Sequence, residues 1–387
     1  MINTQITRRV LPVSVHVKEA GEGRAFIAAS VKSSDNAHEA ASLSYTQIAE
    51  VLSKRGMVSV HERIFGSLIA EHNVMSARRQ AFTSFGMSPE NAVTYIEGNP
   101  PWGEGLAGVI IHAVKTDEAW TVMDSGMPCG CGWRQNGVTH LVLQDIQPPD
   151  HNRRQNISKP LQSRFMIERA ERILRENGAS YGDVVRTWFY LSDILGWYAA
   201  FNKARNEKYG EFGIMPGPGD RDLLLPASTG IAGDSRAGAA CAMDLIAVLN
   251  SKSCTRKLSN PSQLDAFRYG SAFARASVVK NGNTDLIEVS GTAAIDEHGV
   301  SLYPGDIRAQ IDCTLNKVQT LLAHEGSKLQ DISSATVFVK RGKYAEIFHE
   351  MATARGLEDL PCVCVVADVC REELLFEMDA ETIVRRS

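Results

Sequence analysis

The chain has 387 residues, 41 Lys+Arg against 45 Asp+Glu for a net charge of −4, and is 44% hydrophobic and 22% charged. These are ordinary globular proportions, which exclude wholesale disorder, collagen-like repeats and a long coiled coil. At roughly 100–200 residues per domain, the length leaves room for two or three domains.

A near-neutral chain lacks the basic footprint of nucleic-acid binding through counterion release. No stretch approaches 18 uninterrupted apolar residues, and residues 1–9 lack the apolar core of a secretory signal. The expectation is a cytoplasmic protein with no nucleic-acid and no membrane partner.

In chain order, residues 41–55 show helical apolar spacing (Leu43, Ile48, Val51, Leu52) and stop at Gly56, a C-cap signal. A β-rich run over 58–69 follows, then a helical pattern over 74–85 and a strand over 108–114. The order then repeats. Residues 165–176 form a helix stopped at Gly178, with a strand at 184–191, a helix at 197–209 and a closing strand at 242–249. A third round has helix 311–324 before Gly326, strand 334–340, helix 344–354 and closing strand 374–380. Breaker-rich segments at 145–154 and 250–265 separate the rounds.

This order predicts an α+β fold, with mixed sheets covered by helices on one side. The expected units span 1–135, 136–252 and 264–387. A half-covered sheet must bury its open face, so three related units predict a pseudo-trimeric arrangement within one chain. The chain is expected to act as a monomer, with a homo-oligomer left open.

The eight cysteines include two C-x-C pairs, Cys129/Cys131 and Cys362/Cys364. Structural zinc sites pair C-x₂₋₄-C spacings, so these are read as reduced and structural, and no metal is expected. His112, inside an apolar strand, reads as a core histidine. The Gly-rich run 215–220 lacks the Gly-Lys-Ser/Thr ending of a phosphate loop. The run Cys129-Gly130-Cys131-Gly132-Trp133 is unusual, and the sequence offers no account of it.

The stretch Ile287-Glu288-Val289-Ser290-Gly291-Thr292-Ala293-Ala294, with Gly305-Asp306, Gln310 and Leu315-Asn316, resembles the Rid (YjgF/UK114) superfamily. Its members are homotrimers with ligand clefts between subunits, and the best-known hydrolyse reactive enamines and imines. The deaminating members place an Arg after a Pro-x step, where its fork matches a substrate carboxylate. Here the steps read Pro101-Trp102-Gly103, Pro226-Ala227-Ser228 and Pro361-Cys362-Val363, without that Arg.

A closer resemblance is to the chorismatase family, of 3-hydroxybenzoate synthase type, whose chains fuse Rid-like units. It rests on Arg186-Thr187-Trp188-Phe189-Tyr190, Arg205, Pro226-Ala227-Ser228-Thr229-Gly230-Ile231, Phe273-Ala274-Arg275-Ala276, residues 290–295 and the run 368–377. The first 115 residues match poorly, which leaves room for a specialised member.

The resemblance implies cofactor-free cleavage of chorismate, an anionic enol ether, begun by a protonated carboxylic acid. Glu377 is the implied acid. It lies among Leu374, Leu375, Phe376 and Met378, where burial would raise its pKa; the alternative is a solvent-facing position opposite Phe376. Cys370 is the second implied catalytic residue, and in this family a Cys there accompanies 3-hydroxybenzoate rather than a dihydrodiol acid.

Two ligand carboxylates call for cationic anchors, with Arg186 and Arg275 first and Arg205 third. Arg186, in an apolar strand, either binds ligand or makes a buried salt bridge, with Asp183 and Asp193 as the candidate partners. Arg275 is alternatively a solvated edge residue, and Arg205, among Lys203, Glu207 and Lys208, a solvated helix residue. Tyr190 is read as a hydrogen-bond donor or an ordinary core tyrosine, Ser290, Gly291 and Ala294 as shaping the pocket floor, and Thr229 and Gly230 as further substrate-binding positions. Two other functions stay open: a Rid-derived cyclase or hydrolase acting on a reactive intermediate, and a non-catalytic binding module with Glu377 exposed and no enclosed pocket.

Overall fold

The computed structural model describes residues 13–20, 23–34, 36–149, 157–217, 224–249, 254–260, 263 and 265–386. Residues 1–9, and parts of the segments 145–154, 215–220 and 250–265, lie outside the described residues.

Three mixed sheets organise the chain. The first, ordered β1-β2-β5-β3-β4, combines β1 (Val13–Ala20), β2 (Arg24–Val31), β3 (Val58–Gly66), β4 (Thr94–Glu97) and β5 (Leu106–Val114) with helices α1 (Ala37–Arg55) and α2 (Glu71–Ser84). The second, ordered β10-β9-β11-β8-β7-β6, combines β6 (Ala119–Asp124), β7 (Met127–Gln135), β8 (Val138–Ile146), β9 (Val184–Leu191), β10 (Ala227–Ala232) and β11 (Cys241–Val248) with α3 (Lys159–Glu176) and α4 (Ile194–Glu211). The third, ordered β12-β13-β14-β17-β15-β16, combines β12 (Thr255–Leu258), β13 (Ala276–Asn281), β14 (Thr284–Ala293), β15 (Ile332–Val339), β16 (Cys362–Val366) and β17 (Phe376–Arg385) with α5 (Ile307–His324) and α6 (Lys343–Ala354).

The helix stops follow the sequence signals. Gly56 caps α1 in the left-handed region at φ 60°, while the Asn36 side chain accepts from the backbone N–H of His38 and Glu39 at its start. The sheets divide the chain differently from the expected boundary at 135. Strands β6 and β7 pair onward to β8, so the second unit begins after Val114. In the breaker-rich hairpin at 119–135, the mostly exposed β6 and the Gly- and Pro-interrupted β7 carry too weak an alternation to be assigned from sequence.

Alternation along each strand sends one set of side chains to the helices and the other to the remaining sheets. Ile27, Val109 and Ile111 pack under α1 and α2, whereas Phe26 and Ile110 face a shared core with Trp133, Val142, Trp188, Phe338 and Val363 from the other two units. One backbone bridge crosses each junction: Ile96–Ser235 between first and second, Asn99–Val366 between first and third, and Ala227–Ala274 between second and third.

Buried charge ties the three units together at this core. Two guanidiniums pack over the Trp188 ring, Arg63 at 4.4 Å and Arg186 at 4.2 Å from its centroid. Arg63, from the first unit, donates to Glu381 at 2.8 Å, and Arg186, from the second, donates to Asp379 at 3.0 Å. Both acids stand on β17 of the third unit.

The eight cysteines are all free thiols. Among the described residues, no helix is long and apolar enough to cross a membrane.

Candidate active site

The second and third units meet where β10 runs beside β14. Opposite Asp379, strand β14 carries an extra residue: Val289 pairs with Ala380 and Thr292 with Met378, leaving Ser290 and Gly291 to share the intervening position. Such a bulge re-aims the local chain, and it opens space in front of Glu377, the residue beyond Met378 on β17. A Cβ built on Gly291 would lie 2.2 Å from a Glu377 carboxylate oxygen, so only glycine leaves that carboxyl room.

Glu377 is 5% exposed and lines a narrow pocket shared with Tyr198, Arg205, Tyr269, Arg275 and Cys370 among others. Burial, and then the neighbouring Asp379 carboxylate, pushes the Glu377 carboxyl up to about 8; the Arg186 and Arg275 charges offset only part of that. At neutral pH the group is a proton donor. Burial also pushes the Cys370 thiol up to about 12, with the Glu377 charge adding to it, and the thiol sits within hydrogen-bonding reach of Tyr198. It stays protonated at neutral pH and shapes the pocket as a thiol, not as a nucleophilic thiolate.

Three arginines line the pocket, and two of them, Arg205 and Arg275, are buried. Arg205 on α4 is 1% exposed, packed against Phe201, Phe189 and Phe273 with its guanidinium carbon 5.4–6.0 Å from their centroids. It donates to Asn202 at 2.7 Å, its Nε has no hydrogen-bond partner, and no carboxylate pairs with it among the described residues. A buried guanidinium held by aromatic faces rather than by an acid is suited to an anionic ligand. Arg275 is 2% exposed, stacks near Phe273 and Tyr269, and donates to the Tyr269 hydroxyl at 2.8 Å.

The solvated-helix alternative for Arg205 and the edge alternative for Arg275 are therefore both overturned by tertiary packing. Gln263, whose carboxamide oxygen and nitrogen both lack partners among the described residues, and Arg371, which donates to the Gly299 carbonyl at 2.8 Å, add to the polar lining.

Of the residues singled out from sequence, Glu377, Cys370, Arg205, Gly230, Arg275 and Gly291 share this pocket. The others stand behind it. Arg186 is fully buried and pairs with Asp379 and, at 3.8 Å, Glu288, rather than with a ligand, Asp183 or Asp193; this corrects the expectation that it anchors substrate. Thr229 donates to Asp379 at 2.8 Å and accepts from Arg186 and from the Gly291 backbone N–H, so it braces the bulge instead of reaching a ligand.

Ser290 is likewise committed to backbone, donating to the Ala274 carbonyl at 2.6 Å and accepting from the Ser228 N–H at 2.9 Å. Tyr190 packs in the shared core against Phe65, and Ala294 is fully buried outside the pocket wall. Tyr198, Gln263, Tyr269 and Arg371 were not singled out. Tyr269 and Gln263 fall in or beside a segment that reads only as a breaker-rich connection, and Tyr198 is one aromatic in an apolar helix face.

Comparison with known proteins follows this geometry. The endoribonuclease L-PSP family matches residues 271–384. A chorismatase from Streptomyces hygroscopicus is 24% identical over 309 residues, covering 71% of this chain and 83% of that protein. A 3-hydroxybenzoate synthase from Streptomyces hygroscopicus is 28% identical over 234 residues, covering 54% of this chain and 65% of that protein. A crystal structure of chorismatase superimposes with a TM-score of 0.63 at 19% identity, over 84% of this chain and 93% of that one, a likeness of fold.

Proposed function

We propose that the chain is a member of the chorismatase family within the Rid superfamily and that it cleaves the enol-ether bond of chorismate into pyruvate and a hydroxybenzoate. The observation that carries this reading is a buried carboxyl, Glu377, held protonated at neutral pH in a pocket with two buried arginines.

Chorismate is a dianion. Arg205 and Arg275 supply cations for its carboxylates, and Gln263 and Arg371 are the further polar groups of the wall. Glu377 delivers its proton to the enol-ether methylene. The electron pair of that double bond takes the proton, and the ether oxygen shares the positive charge as an oxocarbenium ion. Capture of the oxocarbenium ion by a hydroxyl of the ring, followed by loss of a ring proton, breaks the ether bond and releases pyruvate and an aromatic hydroxybenzoate. Atoms then balance with no added water. Capture by water instead gives pyruvate and a dihydrodiol acid. Proton transfer of this kind needs no cofactor.

Burial of the carboxyl raises the energy of its ionised form, so the ground state keeps the proton ready. Cys370, neutral and within reach of Tyr198, favours the 3-hydroxybenzoate outcome by the family's pattern. We read the chain as a monomer whose three units form a pseudo-trimer.

The test is direct. Purified protein incubated with chorismate should release pyruvate, measured by lactate dehydrogenase coupling, together with 3-hydroxybenzoate by chromatography. Glu377→Gln should lose at least about a hundredfold in rate while keeping its circular dichroism. Absence of pyruvate from the unmodified chain refutes the proposal. A cyclase or hydrolase acting on another reactive intermediate would use the same acid, and is favoured only by the divergence of the first unit. The binding-module reading required an exposed Glu377 without an enclosed pocket, and neither feature is found.

A further inference from the structure

A second pocket lies at the junction of the first and second units, built from different elements than the Glu377 site. One wall comes from the ends of α1 and α2 and the start of β3, through Leu52, Phe82 and Met57; the other comes from the β6–β7 hairpin, through Trp120 and Cys131. It is open to solvent on one side. Among the described residues, no Asp, Glu, Lys, Arg or His lines it, in contrast to the arginine-bearing pocket at Glu377. The Cys131 thiol is itself neutral, pushed up to about 11 by burial.

One polar group in this wall is unsatisfied. Gln144 on β8 is 3% exposed, and its carboxamide oxygen accepts from the Glu62 backbone N–H at 2.9 Å, which fixes the amide's orientation. Its Nε2 is left without a partner. A buried donor without an acceptor costs roughly 1–3 kcal/mol, a penalty that a ligand carbonyl or ether oxygen would relieve.

The run Cys129-Gly130-Cys131-Gly132-Trp133 now has a structural role. A Cβ on Gly132 would lie 2.2 Å from a Trp120 ring carbon, so glycine lets the indole lie flat against β7. A Cβ on Gly130 would meet the Val142 carbonyl at 2.0 Å. The glycines therefore build a flat aromatic wall beside a neutral thiol.

We propose that this pocket binds an uncharged small molecule with an apolar, ring-bearing body and one hydrogen-bond acceptor for the Gln144 amide. Pockets lined mainly by apolar and aromatic groups, with few polar groups and at a junction between units, are the usual form of small-molecule sites. The charge-free wall rejects carboxylates, because an anion buried there would have no compensating cation.

The probe is methyl 2-naphthoate, titrated calorimetrically into the full-length chain. One saturable site is expected, with free 2-naphthoate, the same ring bearing a charge, at least about tenfold weaker as a competitor. Gln144→Leu should weaken the ester about tenfold, the loss of one hydrogen bond. Ala92→Phe, on the half-buried loop of the same wall, should abolish binding. Gln144→Leu decides the matter if Ala92→Phe does not fold. No saturable binding, equal competition by 2-naphthoate, or unchanged affinity in the folded variants overturns the proposal and leaves a cleft that holds water only.

Discussion

Replacing Glu377 with Gln should make the protein more stable, and increasingly so as pH rises. The carboxyl ionises near 4.5 when exposed and near about 8 in the folded chain. Between those values the native state holds a proton that the unfolded state has already released, so the folded state is disfavoured as pH climbs through the window. The difference, about 8 less 4.5, is roughly 3.5 pH units; at about 1.4 kcal/mol per unit this amounts to about 5 kcal/mol at full titration, and to about 4 kcal/mol at pH 8, where the folded carboxyl is half ionised. Gln has the same shape and no proton to lose, so it escapes that term.

Urea unfolding of both proteins at pH 5, 6.5 and 8 measures the difference directly. Subtracting one pH profile from the other cancels the remaining titrating groups, Glu288 and Glu381 among them, which burial also shifts upward. The difference should be small at pH 5 and reach several kcal/mol in favour of Gln at pH 8. A difference that stays constant across the range refutes the claim that Glu377 is held protonated by its surroundings.

Catalysis should follow the same titration, with the rate of pyruvate release falling as pH rises through about 8, where Glu377 loses its proton; a rate still rising at pH 9 contradicts this. Gly291→Ala should cut the rate at least about tenfold by forcing the Glu377 carboxyl aside, while the far-ultraviolet spectrum stays unchanged. Arg205→Gln should raise KM by about ten- to hundredfold with a smaller effect on kcat, the pattern of a lost charge-assisted contact to bound substrate. Arg63→Met should cost about 3–5 kcal/mol in urea unfolding, because it strands Glu381 in the shared core.

The helices and their glycine stops were legible because helical periodicity and capping are local. Strand β9 was read at its observed bounds for the same reason. The buried side of Glu377 was also legible, from the apolar residues around it. The arginines were not. Arg186 reads correctly as a buried charge in need of a partner, but that partner is Asp379, 193 residues away, and no local pattern announces it. Arg205 carries the opposite lesson: its neighbours Lys203 and Glu207 read as a solvated face, and only the approach of Phe273 from the next unit encloses it. The β6–β7 hairpin escaped notice because an edge strand that is mostly exposed has little alternation to display.

The Arg63–Trp188–Arg186 stack has a consequence for how such a chain can diversify. An assembly of three identical copies must place the same residue at each equivalent position, so a cation on one unit would be repeated on all. In a single chain that constraint is lifted: Arg63 and Arg186 come from the first two units, while Asp379 and Glu381, which answer them, come from the third. The arrangement makes the units non-interchangeable. A third unit expressed alone would expose Asp379 and Glu381 without their cationic partners, and neither swapping nor duplicating a unit would restore the match. Covalent linkage thereby turns one repeated interface into three that can drift apart, leaving one junction with an acid-bearing pocket and another with a charge-free one.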